Sequence, residues 1–322
     1  MSEQIKAGRH KKVWRRSSYW PQLLLMIAII LYGVVIEWWF GWGKVGQAWA
    51  HVPIKYLIMA LLLMFLTYLI RGWRIYNFFL PITHGGLMTC CRIMLIHNLL
   101  NNLLPLRSGE VSFPFLMQRY FAVSLSYATA GLLLLRLLDL QVLLGLGYLT
   151  LLLLWKTSSF ALWGILILWF VSPLILLALA PWLRRYTEAL HHESRLKRLL
   201  EQVLRAMPLN FGTLLRSWLF TLICWVSKII VFAIVLGWFI PLQWWGAVGV
   251  SIGGELSSVL PIHAPAGLGT YEASMLVTGK LFNIAETKAL LFAAIQLHLL
   301  MLTSTLLGAV IALFIPAHSS KK

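Results

Sequence analysis

Long stretches of the chain carry almost no charge, and shorter stretches rich in proline, glycine and polar residues interrupt them. Residues 21–39, 52–70, 159–182 and 212–240 are apolar throughout most of their length, with Trp and Tyr gathered near their ends. That is the pattern of membrane-spanning helices anchored at the interface. Two further runs, 124–155 and 286–315, are as apolar, but each holds a basic residue near its middle, Arg136 and His298. Six spans are therefore expected. As a single helix, 124–155 would extend about 48 Å against roughly 30 Å of hydrocarbon, so it is expected to tilt, protrude or break near Gln141.

Residues 78–121 and 244–282 follow a different pattern. The first contains Pro81, Arg92, Asn98, Asn101, Asn102, Pro105, Arg107, Glu110 and Arg119. The second contains Gly249, Gly253, Gly254, Glu255, Pro261, His263, Pro265, Gly267, Gly269 and Glu272. An unbroken helix facing lipid does not tolerate this mixture. A re-entrant hairpin walled in by other helices does, because irregular backbone survives at membrane depth where protein or water surrounds it. Within the second stretch, Gly249-x-x-x-Gly253 reads as a close helix–helix contact.

The two stretches repeat one another. Asn101-Asn102-Leu103-Leu104-Pro105-Leu106-Arg107 leads through Ser108-Gly109 to Glu110, and Ser257-Ser258-Val259-Leu260-Pro261-Ile262-His263 leads through a longer small-residue turn to Tyr271-Glu272. Glu110 is followed 26 residues later by Arg136, and Glu272 is followed 26 residues later by His298. A duplicated unit accounts for both the turn and the matched basic residue.

Charge fixes an expected topology. Lys and Arg number 27 against 10 Asp and Glu, a net charge of +17. Only 11% of residues are charged and 60% are hydrophobic, too little charge to cover a water-facing surface. The basic residues gather before the first span, at Arg71 and Arg74, in 184–205, and at Lys321 and Lys322. By the positive-inside rule these segments face the cytoplasm, where anionic headgroups attract them; no nucleic-acid partner is implied.

The resulting expectation is an all-α integral membrane protein of the inner (cytoplasmic) membrane. It has about six transmembrane helices and two oppositely oriented re-entrant hairpins, arranged as an inverted repeat, a plan used by secondary transporters. Residues 1–20 form a basic cytoplasmic N-terminus and 21–182 the first membrane half. Residues 183–208 form a basic amphipathic cytoplasmic linker, 209–316 the second half, and 317–322 a cytoplasmic tail. The N-terminal basic stretch and apolar run are read as an uncleaved first span, because Ala48-Trp49-Ala50 lies too far beyond the run for a signal cleavage site. Cys90, Cys91 and Cys224 suggest neither a disulfide framework nor a zinc site.

At these motifs the chain resembles the lysylphosphatidylglycerol synthase transmembrane-region family. The resemblance rests on Asn102-Leu103-Leu104-Pro105-x-Arg107-x-Gly109-Glu110, on Arg136-Leu137-Leu138-Asp139, and on Pro261-x-x-x-Pro265-Ala266-Gly267-Leu268-Gly269-x-x-Glu272, and it spans roughly 56–315. Ala266 stands where a second glycine is common and His298 where arginine is frequent. No aminoacyl-transferase domain follows Ile315, so the synthase activity of some members is not expected. The resemblance implies lipid handling without specifying the lipid.

Charged residues within a span cost about 3 kcal/mol or more and are functional candidates by default. The candidate headgroup site comprises Asn101, Asn102, Arg107, Glu110, Arg136, Asp139, Glu272 and His298. Arg136 and Asp139, three apart on a helix, are placed to pair. Arg107 offers a planar fork to a phosphate. His298 titrates near neutral pH when unperturbed, or is a structural histidine bonded to a backbone carbonyl. Asn101, Asn102, Ser257 and Ser258 are expected as exposed caps at the hairpin tips. Lys228 and Glu255 are one candidate neutralising pair; with His263 and Tyr271 they are secondary candidates. His191-His192-Glu193 lacks zinc-protease spacing, and no cofactor or metal is called for.

The favoured reading is a non-enzymatic transporter, or flippase, for an anionic or phosphate-bearing lipid. A non-catalytic subunit of a lipid- or glycan-assembly complex and an intramembrane lipid-modifying enzyme are the alternatives. Membrane lipids are the expected partners; a second copy of the chain or a lipid-synthesis enzyme is left open.

Overall fold

The computed structural model describes residues 41–189, 211–259 and 264–316, with isolated positions between 27 and 38. The chain is all-helical, as the sequence pattern indicates. A short helix, α1 (Trp42–Ala50), precedes the long α2 (Ile54–Phe78), and a single turn of helix, α3 (Leu80–Thr83), leads into α4 (Leu87–Leu103). A 3₁₀ turn (Pro105–Val111) joins α4 to α5 (Ser112–Phe121). Then come α6 (Leu125–Leu154), α7 (Phe160–Ala189) and α8 (Phe211–Gly237). The second interrupted stretch is α9 (Trp244–Val259), a short turn (Pro265–Gly267) and α10 (Thr270–Leu281), and α11 (Thr287–Phe314) follows.

Local chemistry sets these boundaries. Pro105 holds Leu104 extended (φ −80°, ψ 138°) and ends α4 there. Ala122 takes a left-handed conformation (φ 54°) that stops α5. Ser124 then caps α6 by accepting the Tyr127 N–H.

Four helices, α2, α6, α8 and α11, are long and apolar enough to cross a membrane. The thirty-residue α7 has an apolar first half, 160–175. The chain is thus a multi-pass membrane protein. Large apolar side chains such as Leu62, Phe160, Leu313 and Phe314 are exposed on the helices' outer faces, a surface suited to lipid rather than water.

Several sequence expectations change. Helix α6 is continuous, about 45 Å long, and Gln141 does not break it. Its amide instead fastens neighbours: Nε2 donates to the Trp169 carbonyl on α7, and Oε1 accepts the Trp218 indole N–H on α8. Helix α2 runs past the expected end at residue 70, which places Arg71 and Arg74 inside a helix, both buried, and not in a cytoplasmic loop. Helix α7 passes the expected boundary at 182 and reaches Ala189. Most of the expected first span, the rest of the 183–208 linker and the 317–322 tail lie outside the described residues.

The halves interlock. Helices α2 and α8 pack on each other near the centre. The first arm of each hairpin packs against the long helix of the other half, α4 on α11 and α9 on α6, while the second arms α5 and α10 pack on their own long helices α6 and α11. The two turns touch. The symmetry of this exchange is the structural form of the internal repeat.

Candidate functional site

Corresponding residues occupy corresponding helical positions. Arg136 and His298 are each the twelfth residue of their helices, α6 and α11. Each meets the glutamate that closes its own half's turn. Arg136 Nε lies 3.0 Å from Glu110 Oε1, and His298 Nδ1 lies 2.5 Å from Glu272 Oε1. The conserved offset within the sequence is thus a contact, made once in each half.

In the second half this contact builds the turn. Glu272 Oε2 accepts the Gly269 N–H at 2.8 Å, which starts α10, while Oε1 faces His298. The opposite ring nitrogen, Nε2, is 2.9 Å from the Ala266 carbonyl. Both ring nitrogens therefore face oxygen acceptors. An imidazolium donates to both, whereas a neutral ring donates to only one. Tyr271, fully buried, lies against the His298 ring at 4.7 Å between centroids.

In the first half the contact extends into an ion network. Asp139, one turn after Arg136, lies 3.4 Å from Arg136 Nη1, but its closest partner is Arg74 on α2 at 2.5 Å. It also accepts the Trp225 indole N–H of α8 at 2.9 Å. One buried carboxylate thus ties α2, α6 and α8 together. Arg74, only 6% exposed, is rendered tolerable by that pairing.

Between these elements lies a small polar cavity, about 30 Å³, room for about two waters. Arg71, Lys228, Arg136, His97 and Glu255 line it, together with Asn98, Asn101 and Asn102 on one face of α4. Lys228 Nζ is 2.6 Å from Glu255 Oε2, and both are buried, so the candidate neutralising pair forms. His97 offers Nδ1 to Ser112 at 3.1 Å and Nε2 to Arg136 at 3.5 Å.

The sequence-derived site is therefore divided. Asn101, Asn102, Arg136, Lys228 and Glu255 converge on the cavity; Glu110 and Asp139 hold Arg136 beside it. Glu272, His298 and Tyr271 form a separate buried cluster at the second turn. Asn101 and Asn102 are not exposed caps: Asn101 is buried, and Asn102 donates to Thr305 on α11 at 3.1 Å. Ser257 and Ser258 are helical and bond back to Gly254 and Glu255, because α9 continues through them to Val259. Arg107 falls in the first turn, its side chain outside the described part, and His263 lies outside the described residues.

Arg71, Arg74, His97, Asn98 and Trp225 escaped the sequence reading. The arginines looked like a loop charge pair following an apolar run. Their three-residue spacing, continuing the helical period of that run, is the signal that would have placed them on one inward face.

The family model described as Lysylphosphatidylglycerol synthase TM region matches residues 23–314. No curated protein matches the chain.

Proposed function

From the premise that this chain belongs to the lysylphosphatidylglycerol synthase TM region family, a membrane protein family concerned with lipids, we propose that it moves a lipid with an anionic or phosphate-bearing headgroup between leaflets. The reading is of a transporter without catalytic chemistry, in the cytoplasmic membrane with both termini inside, its hairpins entering from opposite faces.

The observation that carries this reading is the duplicated contact between a turn glutamate and a mid-helix base, beside a cationic cavity. Moving a headgroup requires replacing its hydration while the acyl tails remain in lipid. Buried cations supply charge-assisted hydrogen bonds in place of water. Their carboxylate partners keep those cations from standing uncompensated when no headgroup is present. Two hairpins whose turns meet in the interior offer two gates, one to each leaflet, with the site between them. The cavity admits water but no headgroup, so it corresponds to a closed arrangement. Loading requires one arm to separate from the opposing long helix, α4 from α11 or α9 from α6.

Arg136 is the pivotal side chain, since it spans Glu110, Asp139 and the cavity. The test is reconstitution into sealed liposomes with a fluorescent anionic phospholipid or polyprenyl phosphate and a leaflet-selective quencher. The wild-type protein should accelerate exchange. Arg136→Ala should reduce it at least tenfold, and Arg136→Lys should restore only part, because the planar fork is lost. Exchange by well-folded Arg136→Ala at the wild-type rate would refute the assignment. If neither protein moves any anionic lipid tested, the transporter reading fails and the assembly-subunit reading gains ground.

A further inference from the structure

The repeat matches position for position at the turn contact, but the two bases differ in one property. A guanidinium stays charged at every accessible pH, whereas an imidazole gains and loses a proton. Their settings differ as well. The side chains of Arg136 and Glu110 are 19% and 28% exposed, those of His298 and Glu272 only 2% and 9%. Water can relieve an imbalance in the first contact but not in the second.

The second contact is complete only with one proton beyond the neutral imidazole. Two acceptors, Glu272 Oε1 at 2.5 Å and the Ala266 carbonyl at 2.9 Å, face the two ring nitrogens. A histidinium beside a carboxylate donates to both. A neutral ring beside a protonated Glu272 does as well, since that O–H donates to Nδ1 while the Nε2–H donates to the carbonyl. Without that proton the ring has one N–H, and its lone pair meets an oxygen on the other side. The turn is the part that yields. Ala266 is left-handed (φ 54°, ψ 11°), and Gly267 and Gly269 also have positive φ, 75° and 80°. Such a conformation at Ala266 persists only where its surroundings hold it.

The titratable groups on the helices packed against α11 have partners of their own. Tyr271 of α10 stacks on the His298 ring, and its hydroxyl interacts with Glu255 of α9, which is paired with Lys228 of α8. Tyr68 of α2 bonds to Ser304, and Arg71 of α2 lies over the Trp225 ring. On α4, Arg92 donates to the Ile315 carbonyl and His97 bonds to Ser112. Glu272 and His298 therefore titrate as one buried pair.

We propose that Glu272 and His298 form a proton-binding latch on the second hairpin. With the proton bound, the turn is closed as in this structure; loss of the proton to water frees the Ala266 carbonyl and loosens the turn. The first hairpin, closed by an arginine, has no such response. The latch stands without any lipid. Its use as a proton-controlled gate to one leaflet rests on the translocator reading.

Amide hydrogen exchange of the full chain in detergent, corrected for the intrinsic effect of pH on exchange, tests the latch at pH 5 and pH 9. In the wild-type protein, protection across residues 264–272 should fall at least tenfold from pH 5 to pH 9, while that of Pro105–Val111 stays constant. His298→Arg should keep the protection at both pH values. His298→Gln, which cannot take up the proton, should show the pH 9 level at both. His263→Gln should respond like the wild type. If arginine prevents folding, His298→Gln and the comparison of the two turns decide without it.

Equal protection of the second turn at both pH values in the wild type would overturn the latch. So would a pH response that survives in His298→Gln, disappears in His263→Gln, or is matched by the first turn. In sealed liposomes, lipid exchange by the wild type should be faster at pH 9 than at pH 5, and that of His298→Gln should not change with pH. A responsive turn with pH-independent lipid exchange would overturn the gating use alone. A responsive turn in a protein that moves no lipid would leave the latch standing and refute the transporter.

Discussion

Ala266 has a left-handed backbone (φ 54°, ψ 11°), and its carbonyl is the acceptor for His298 Nε2. A β-carbon in that conformation costs about 1–2 kcal/mol. A glycine at this point would be favoured by the backbone alone. Ala266→Gly should raise the melting temperature in detergent by an amount equivalent to about 0.5–1 kcal/mol, once the greater freedom of glycine in the unfolded chain is deducted. Lys228 and Glu255 make the opposite case. Glu255→Gln leaves a buried ammonium without its counter-ion and should destabilise by about 3–5 kcal/mol. Lys228→Met combined with Glu255→Leu should recover most of that loss, measured by the same melting assay. This pair was legible because two isolated charges in apolar sequence have few other partners. Arg74 and Asp139 were not recognised as a pair, because Asp139 had a nearer candidate in Arg136 and because sequence does not reveal that α2 crosses α6 at that level.

At the scale of the element, the interrupting turns and the long helices α6, α8 and α11 were legible, while the extent of α2 and α7 was not. Pro105 and the glycines at 267 and 269 mark turns whatever surrounds them, since they act through backbone geometry alone. The glycines of α9 were legible as packing positions for a similar reason. A β-carbon at Gly253 would run into the Thr278 side chain of α10, and one at Gly254 into Tyr271 and Met275. Ser274 adds a hydrogen bond to the Gly253 carbonyl at 2.6 Å. Gly253→Val should therefore separate α9 from α10 and cost about 1–3 kcal/mol, whereas Gly237→Ala, with open space around it, should leave melting unchanged. The continuity of α6 was obscured by Gln141. A glutamine inside an apolar run resembles a break until its partners are known, and those partners, Trp169 and Trp218, lie on other helices.

Across the whole molecule, the repeat could be read from sequence and the interlocking could not. Matched motifs and a constant offset disclose duplication. They carry no information on whether α4 packs against its own half or against α11 of the other. Helices in lipid are apolar on both inward and outward faces, so periodicity fails to show which side is buried. Under the proposed transport the interlocking carries a consequence. The first arm of each hairpin rests on the long helix of the opposite half, so opening one gate would then move one half against the other. The interface between α4 and α11 is held by the hydrogen bonds of Asn98 and Asn102 to Thr305, with Tyr68 of α2 bonded to Ser304 alongside at 2.7 Å. Asn98 and Asn102 also line the cavity, so the proposed movement would pass through these exchangeable polar contacts.

The proposed lipid route requires relative movement of α4 and α11. With Cys90, Cys91 and Cys224 replaced by serine, cysteines at Asn102 and Thr305 can be bridged by a short bifunctional thiol reagent in protein already reconstituted into liposomes. The bridged protein should exchange fluorescent anionic phospholipid at least tenfold more slowly than the unbridged double mutant, and cleaving the bridge with a reductant should restore the rate. Undiminished exchange with the bridge fully formed would contradict movement at this interface as the route of the lipid.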